Sequence, residues 1–268
     1  MEPFRYEKVQ GIPVTVISDW LKESPTLTAG MSAGQHYGLH REQDDPRAVV
    51  PNRDRLARAL GFSLDAWTSA TQVHGKNVVR VTRAERGAGN RKRETAIPAA
   101  DGLVTDERDI LLTAFYADCV PLLFWDSDRG AVGVAHAGWR GTVLGIAREM
   151  VERMKREFGT DPGSVRVAIG PSIGSCCYEV DDRVVDALKE QIPDLDDDIV
   201  HPKDNGRFML DLKRANADIL RQAGVENSRM SVTNFCTSCE EWLFFSHRRD
   251  GEKAGRMVAW IGIRKDES

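Results

Sequence analysis

From Trp67 to His136 the sequence runs through one short apolar segment after another with no helical period between them. Val78–Val81, Gly102–Thr105, Ile110–Ala117, Val120–Trp125 and Ala131–His136 are each short enough for a strand and bounded by turn residues. This run constrains the fold more than any other feature. A doubly wound parallel sheet needs a helix after almost every strand, whereas consecutive strands close on one another and leave the helices to cover the outer faces. The sequence therefore predicts an α+β architecture.

Helices are expected elsewhere. The strongest candidate is Thr142–Phe158, where Val143, Ile146, Ala147, Met150, Val151, Met154 and Phe158 form one apolar stripe and Gly159 stops the helix. Asp181–Gln191 and Asp211–Ala223 begin with a capping carboxylate, and Gly224 ends the second. Asp45 followed by Pro46 starts another, with Pro51 dividing a short entry from a body over Asn52–Leu60. Val14–Ser18, Val165–Ile169, Met230–Phe235 and Met257–Ile263 read as further strands. Leu27–Arg41, with Gly30, Gly34 and Gly38, reads as loop, as does the basic, glycine-containing stretch Arg83–Thr95. No linker composition interrupts the chain, so residues 1–268 are expected to form one domain.

Charge and cysteine content narrow the partners. A formal net charge of -4 gives no broad positive field for nucleic acid or anionic lipid. The N-terminal MEPFRYEKVQ lacks a secretory pattern, and Asp118 breaks the most apolar stretch, Ile110–Trp125. The expectation is a cytoplasmic protein with no membrane contact. Five cysteines, an odd number, point to reduced thiols rather than a disulfide framework.

The chemistry is expected where strands end. His74 (TQVHG), Cys119 (ADCVP) and His136 (AHAGWRG) each lie at or near an apolar strand end beside a turn. Two imidazoles and a thiolate are three ligands of the kind zinc prefers, with a fourth position left for water, whose pKa the ion lowers to about 7. The same residues also fit a thiol nucleophile, Cys119, with His136 as its base. Asp118, beside Cys119, is a candidate to move a proton or to orient a ligand histidine. Arg140 precedes a helix where it would suit an anion such as phosphate, and Trp139 offers a face for a base. Cys236-Thr237-Ser238-Cys239 is a lone C-x-x-C. The vicinal Cys176-Cys177 has the wrong spacing to complete a zinc ribbon and is expected to pack. His40-Arg41-Glu42 with Cys236 and Cys239 only superficially matches zinc base deaminases. Arg248 and Arg249 are expected either to line the pocket or to pair at the surface.

Seven blocks in order, TQVHG (71–75), ADGLVTD (100–106), ADCVPLLFWD (117–126), GVAHAGWRGT (133–142), AIGPSIGSCCYEVDDRVV (168–185), DLKRAN (211–216) and CTSCEEWLFFSHRRD (236–250), resemble the laccase-domain family. Its members are also described as multicopper polyphenol oxidases and as purine nucleoside phosphorylases. Residues 28–42 depart from the family pattern. The resemblance implies a single-domain α/β/β/α layered sandwich with mixed β-sheets. It also implies one zinc ion on His74, Cys119 and His136, with copper as the other metal associated with the family. The activities it implies are phosphorolysis of adenosine, inosine, guanosine and methylthioadenosine with phosphate, and deamination of adenosine. Catalytic roles are then expected for Cys119, His136, Asp118 and Arg140. The alternatives are copper-dependent phenol oxidation and nucleoside binding without turnover. Six histidines are few for a multicopper oxidase. Nothing in the sequence sets an oligomeric state.

Overall fold

The structure, a computed structural model, describes residues 2–39 and 44–265. Among these residues, two six-stranded sheets and a small three-stranded one carry the fold. The first sheet contains β1 (Phe4–Val9), β2 (Ile12–Ile17), β3 (Leu27–Ser32), β4 (Trp67–Ser69), β7 (Leu111–Tyr116) and β15 (Met257–Ile263), in the order β1-β2-β3-β15-β7-β4. The second contains β5 (Val78–Arg80), β6 (Gly102–Thr105), β8 (Val120–Asp126), β9 (Ala131–Ala137), β10 (Arg166–Ile169) and β14 (Met230–Val232), in the order β14-β10-β8-β9-β6-β5. Both are mixed: β4–β7, β5–β6 and β10–β14 are parallel and the other pairs antiparallel. The third sheet joins β11 (Glu179–Val180), β13 (Phe208–Leu210) and β12 (Val200–Pro202).

The consecutive apolar runs are thus dealt to two sheets, which pack face to face. Leu112, Ala114 and Tyr116 of β7 and Ala259 and Ile261 of β15 meet Leu123, Trp125, Val132 and Val134 of the second sheet in one buried cluster. Helices cover the outer faces. Ile146, Ala147, Met150, Val151 and Met154 of α4 (Ile146–Phe158), with α5 (Asp182–Lys189) and α6 (Leu212–Gln222), cover the second sheet. Leu56 and Ala57 of α2 (Pro46–Ala59) cover the first. The remaining helices are α1 (Ser18–Glu23), α3 (Trp139–Val143) and α7 (His247–Asp250). The expected α/β/β/α layering is what these contacts form. No helix among the described residues is long and apolar enough to cross a membrane.

Local differences from expectation have physical causes. Leu27–Ser32, expected as loop, is the buried strand β3. Its Gly30 is required because a Cβ there would lie 2.4 Å from the Thr15 carbonyl and 2.9 Å from the Trp260 ring. The apolar stripe expected as one helix over Thr142–Phe158 is divided between α3 and α4, with Gly145 left-handed between them. Pro51 does not divide α2. That helix runs through it, with the Asp45 side chain accepting from the Arg47 amide (2.9 Å) at its start. The Arg83–Thr95 stretch stays a loop, but part of it is buried. The Arg53 guanidinium, itself 1% exposed, donates to the carbonyls of Gly89 (2.7 Å) and Asn90 (3.1 Å) as well as Tyr37 (2.8 Å). β1, β4, α1 and the three-stranded sheet were not expected.

Candidate active site

β7 and β8 belong to different sheets, so the chain crosses from one layer to the other at Ala117-Asp118-Cys119. The crossing forces Asp118 to φ +88°, a conformation few non-glycine residues adopt. Two short hydrogen bonds hold it there. Asp118 Oδ1 accepts from the Thr237 hydroxyl and Oδ2 from the Arg248 amide, both at 2.6 Å. The same crossing delivers Cys119 to the open end between the layers.

His136 reaches that end from β9, paired with Pro121 of β8. His74 arrives in the loop after β4 and is also left-handed, at φ +60°. Asp101, immediately before β6, organises both. Its carboxylate accepts from the amides of Val73 (3.1 Å), His74 (3.0 Å) and Gly75 (2.8 Å), and Oδ1 lies 2.9 Å from His136 Nδ1. A carboxylate can only accept here, so Nδ1 carries the hydrogen and, in the neutral ring, the Nε2 lone pair is left to bind a metal. Burial alone would raise the Asp101 pKa. The His136 contact and the backbone amides outweigh it and hold the group below the usual carboxylate range.

One ring nitrogen each of His74 and His136 and the Cys119 sulfur lie within 4.8 Å of one another. Gly138 lets them meet, since a Cβ there would stand 3.0 Å from the sulfur and 3.1 Å from His74 Cδ2. Burial pushes the Cys119 thiol up, but the facing imidazoles overcome it and favour the thiolate. Burial likewise disfavours a charged His136, and the Cys119 thiolate and Asp101 overcome that in turn. Three soft-to-borderline donors, the Asp101 carboxylate on one imidazole and a cleared space between them fit a zinc-type centre with a position to spare. The Cys119–His136 contact alone also fits the thiol–base pairing. The third donor, His74, is what the pairing does not need and a metal does.

The three donors stand between two adjoining cavities. One, about 320 Å³, is bordered by Asp118, Trp139, Arg140, Tyr178 and Arg248. The other, about 340 Å³, is bordered by Gln72, Arg93, Phe115 and Arg256, and His136 opens onto it. His74, Cys119 and His247 line both. A larger depression of about 550 Å³, edged by Asp194, Asp196 and Asp198, lies among other residues and shares none with this site.

Each expected site residue can now be placed. His74, Cys119 and His136 converge, and Arg140 borders the cavity with its guanidinium 5.3 Å over the Trp139 ring. Asp118 borders it too, but both its oxygens are engaged, and the residue that orients a histidine is Asp101. Arg248, expected either to line the pocket or to pair at the surface, borders the first cavity, reaches the carbonyls of Cys177 (3.4 Å) and Glu179 (3.0 Å) and lies over Tyr178. Arg249 does pair, with Asp250 (2.7 Å). Cys176 and Cys177, expected to pack, are exposed and half-buried. Their sulfurs meet those of Cys236 and Cys239. His40 and Glu42 lie outside the described residues. Asp101 and His247 were missed, although both stand in motif blocks. His247 Nδ1 is 3.0 Å from the Gly251 carbonyl, which fixes the hydrogen there and leaves Nε2 as a base when the ring is neutral.

Comparison with known proteins finds relatives over most of the chain. The family described as multi-copper polyphenol oxidoreductase laccase matches residues 26–264. A Geobacillus stearothermophilus protein named purine nucleoside phosphorylase YlmD is 48% identical over 244 residues, covering 91% of this chain and 87% of that protein. A protein from an unknown prokaryotic organism, named adenosine deaminase RL5, is 38% identical, covering 81% and 83%. The crystal structure of YlmD from Geobacillus stearothermophilus superposes with a TM-score of 0.93 at 42% identity, covering 99% of this chain and 100% of that one.

Proposed function

This chain belongs to the family described as multi-copper polyphenol oxidoreductase laccase, and on that premise we propose that it is a zinc-dependent purine nucleoside phosphorylase that also deaminates adenosine. Residues 1–268 act as one unit in this reading, in the cytoplasm. The observation that carries it is the meeting of His74, Cys119 and His136 at the junction of two cavities, one bordered by arginine and aromatic side chains. The relatives named for nucleoside phosphorolysis and for adenosine deamination supply the substrate class.

When bound, the ion supplies Lewis-acid stabilisation of charge on the leaving base or on an attacking oxygen. The remaining work falls to side chains. Arg140 and Arg248, at the rim of the first cavity, draw and orient phosphate. Trp139 and Tyr178 offer aromatic faces beside them, where a purine or ribose displaces water. Glycosidic cleavage leaves charge on the base, and His247, facing both cavities, is placed to hand a proton to it or take one during deamination. Asp118 acts by position: its bonds to Thr237 and Arg248 hold Cys119 and the cavity wall in register.

Copper remains a second reading on one observation. Two imidazoles and a thiolate are also the donor set of copper electron-transfer sites. The test is metal analysis combined with chromatographic detection of base, ribose phosphate and deaminated nucleoside. Cys119→Ala and His136→Ala are expected to lose the ion of this centre and the phosphate-dependent release of adenine from adenosine. Arg140→Ala is expected to raise KM for phosphate by about tenfold or more while leaving KM for nucleoside near wild type. Full phosphate-dependent turnover in the two ligand variants, with the ion of this centre still bound, defeats the proposal. Oxygen uptake with a phenol, or nucleoside binding without turnover, would replace it with one of the alternatives.

A further inference from the structure

The four cysteines outside the first centre all meet. The sulfurs of Cys176, Cys177, Cys236 and Cys239 lie within 4.8 Å of one another, with Cys239 3.4 Å from Cys177 and 3.5 Å from Cys176. Two tight turns present them. The amides of Cys177 and Tyr178 donate to the Gly174 carbonyl, and those of Cys239 and Glu240 to the Cys236 carbonyl. A bridge between Ser172 and Cys236 sets the turns side by side.

These separations are far longer than a disulfide's bond of about 2.05 Å. They are close to the edge of a tetrahedron of sulfurs around zinc, about 3.8 Å for zinc–sulfur bonds of about 2.3 Å. Two further observations point to an ion held by thiolates. The Gly174 amide donates to Cys236 Sγ at 3.2 Å, a contact that favours negative sulfur. Lys213, only 4% exposed, has its ammonium on the Phe235 carbonyl (2.9 Å), next to Cys236 in sequence. Burial draws its pKa down, and Asp211 foremost opposes that. A buried ammonium is costly unless negative charge stands near it.

We propose that Cys176, Cys177, Cys236 and Cys239 form a second metal site, a tetrathiolate centre for a soft divalent cation, with zinc as the fitting ion. Each thiol releases its proton as its sulfur binds, so four thiolates around a divalent ion carry a net charge of −2, which Lys213 partly offsets. The centre is a staple for the cavity wall. Thr237, inside the C-x-x-C, holds Asp118, and Tyr178, which follows Cys177, borders the first cavity. Locking the two turns together keeps both in place.

The test uses the full chain, reduced, stripped and reloaded without oxygen with zinc alone, then desalted. About two zinc ions per chain are expected, falling to about one in Cys176→Ser/Cys239→Ser. His136→Ala is expected to keep about one, with the four cysteines shielded from a thiol-modifying reagent until a chelator is added. Reloading with cobalt alone gives an independent readout: His136→Ala retains most of the thiolate-to-cobalt absorption and Cys176→Ser/Cys239→Ser loses most of it. This second arm leaves the cysteine cluster intact, so misfolding of the serine variant does not remove the test. A single zinc in the wild type that vanishes with His136→Ala overturns the proposal. So does free labelling of the four thiols in the reloaded protein, or an intact mass lighter by a disulfide's two hydrogens.

Discussion

Replacing Asp101 by asparagine tests how the first centre is held together. The carboxylate, 3% exposed, accepts from three consecutive amides, those of Val73, His74 and Gly75, and from the His136 ring. An asparagine has one acceptor oxygen. Placed toward His74 and His136, it leaves the amides of Val73 and Gly75 facing a donor; flipped, it reverses the loss. Either way two of the four bonds disappear. Hydrogen bonds to a charged group contribute about 1.5–3 kcal/mol each, so the expected destabilisation is about 3–6 kcal/mol. For a chain of this size that lowers Tm by on the order of 10 °C. The His74 loop loses the contacts that hold it left-handed, and the His136 ring loses its orienting partner, so metal affinity should fall about 10–100-fold. Calorimetry and competitive metal titration measure the two effects separately. Asp101→Asn with wild-type Tm and wild-type metal affinity would refute the assignment of Asp101 as the organiser.

Gly138→Ala should weaken metal binding at the first centre by about tenfold or more with little change in circular dichroism, because the new methyl lies against the Cys119 sulfur and His74. Unchanged zinc affinity by titration would mean the donors are not packed as described. Arg53→Ala should lower stability by at least about 3 kcal/mol in urea unfolding, since it strips the buried carbonyls of Tyr37, Gly89 and Asn90 of their donor. A loss below about 1 kcal/mol would show that water replaces the guanidinium there.

What the sequence made legible follows from what local pattern encodes. The strands from Val78 to Ala137 are short apolar runs, which burial on both faces of a layered fold produces, and the stripe on α4 is a helical period. The three ligands were legible as chemistry at strand ends. Their meeting on one ion came from the ligand types and the family resemblance and not from their spacing, because it depends on the crossing at Asp118 that places β7 and β8 in different sheets. Asp101 was passed over because an aspartate before a strand is ordinary in one dimension. Its role exists only once the His74 loop folds over it. β3 was lost for the opposite reason: Gly30 is a loop signal locally but a packing requirement against Trp260 and Thr15, partners supplied by β15 and β2. The cysteines make the same point most sharply. Spacing rules look for two C-x-x-C turns, and a vicinal pair fails them. The bridge from Ser172 to Cys236 brings the vicinal pair to the C-x-x-C, so the geometry that spacing is meant to signal arises from strand pairing instead. Non-local pairing is therefore where a single sequence is least informative, and both clusters of metal-capable histidine and cysteine side chains among the described residues are built by it.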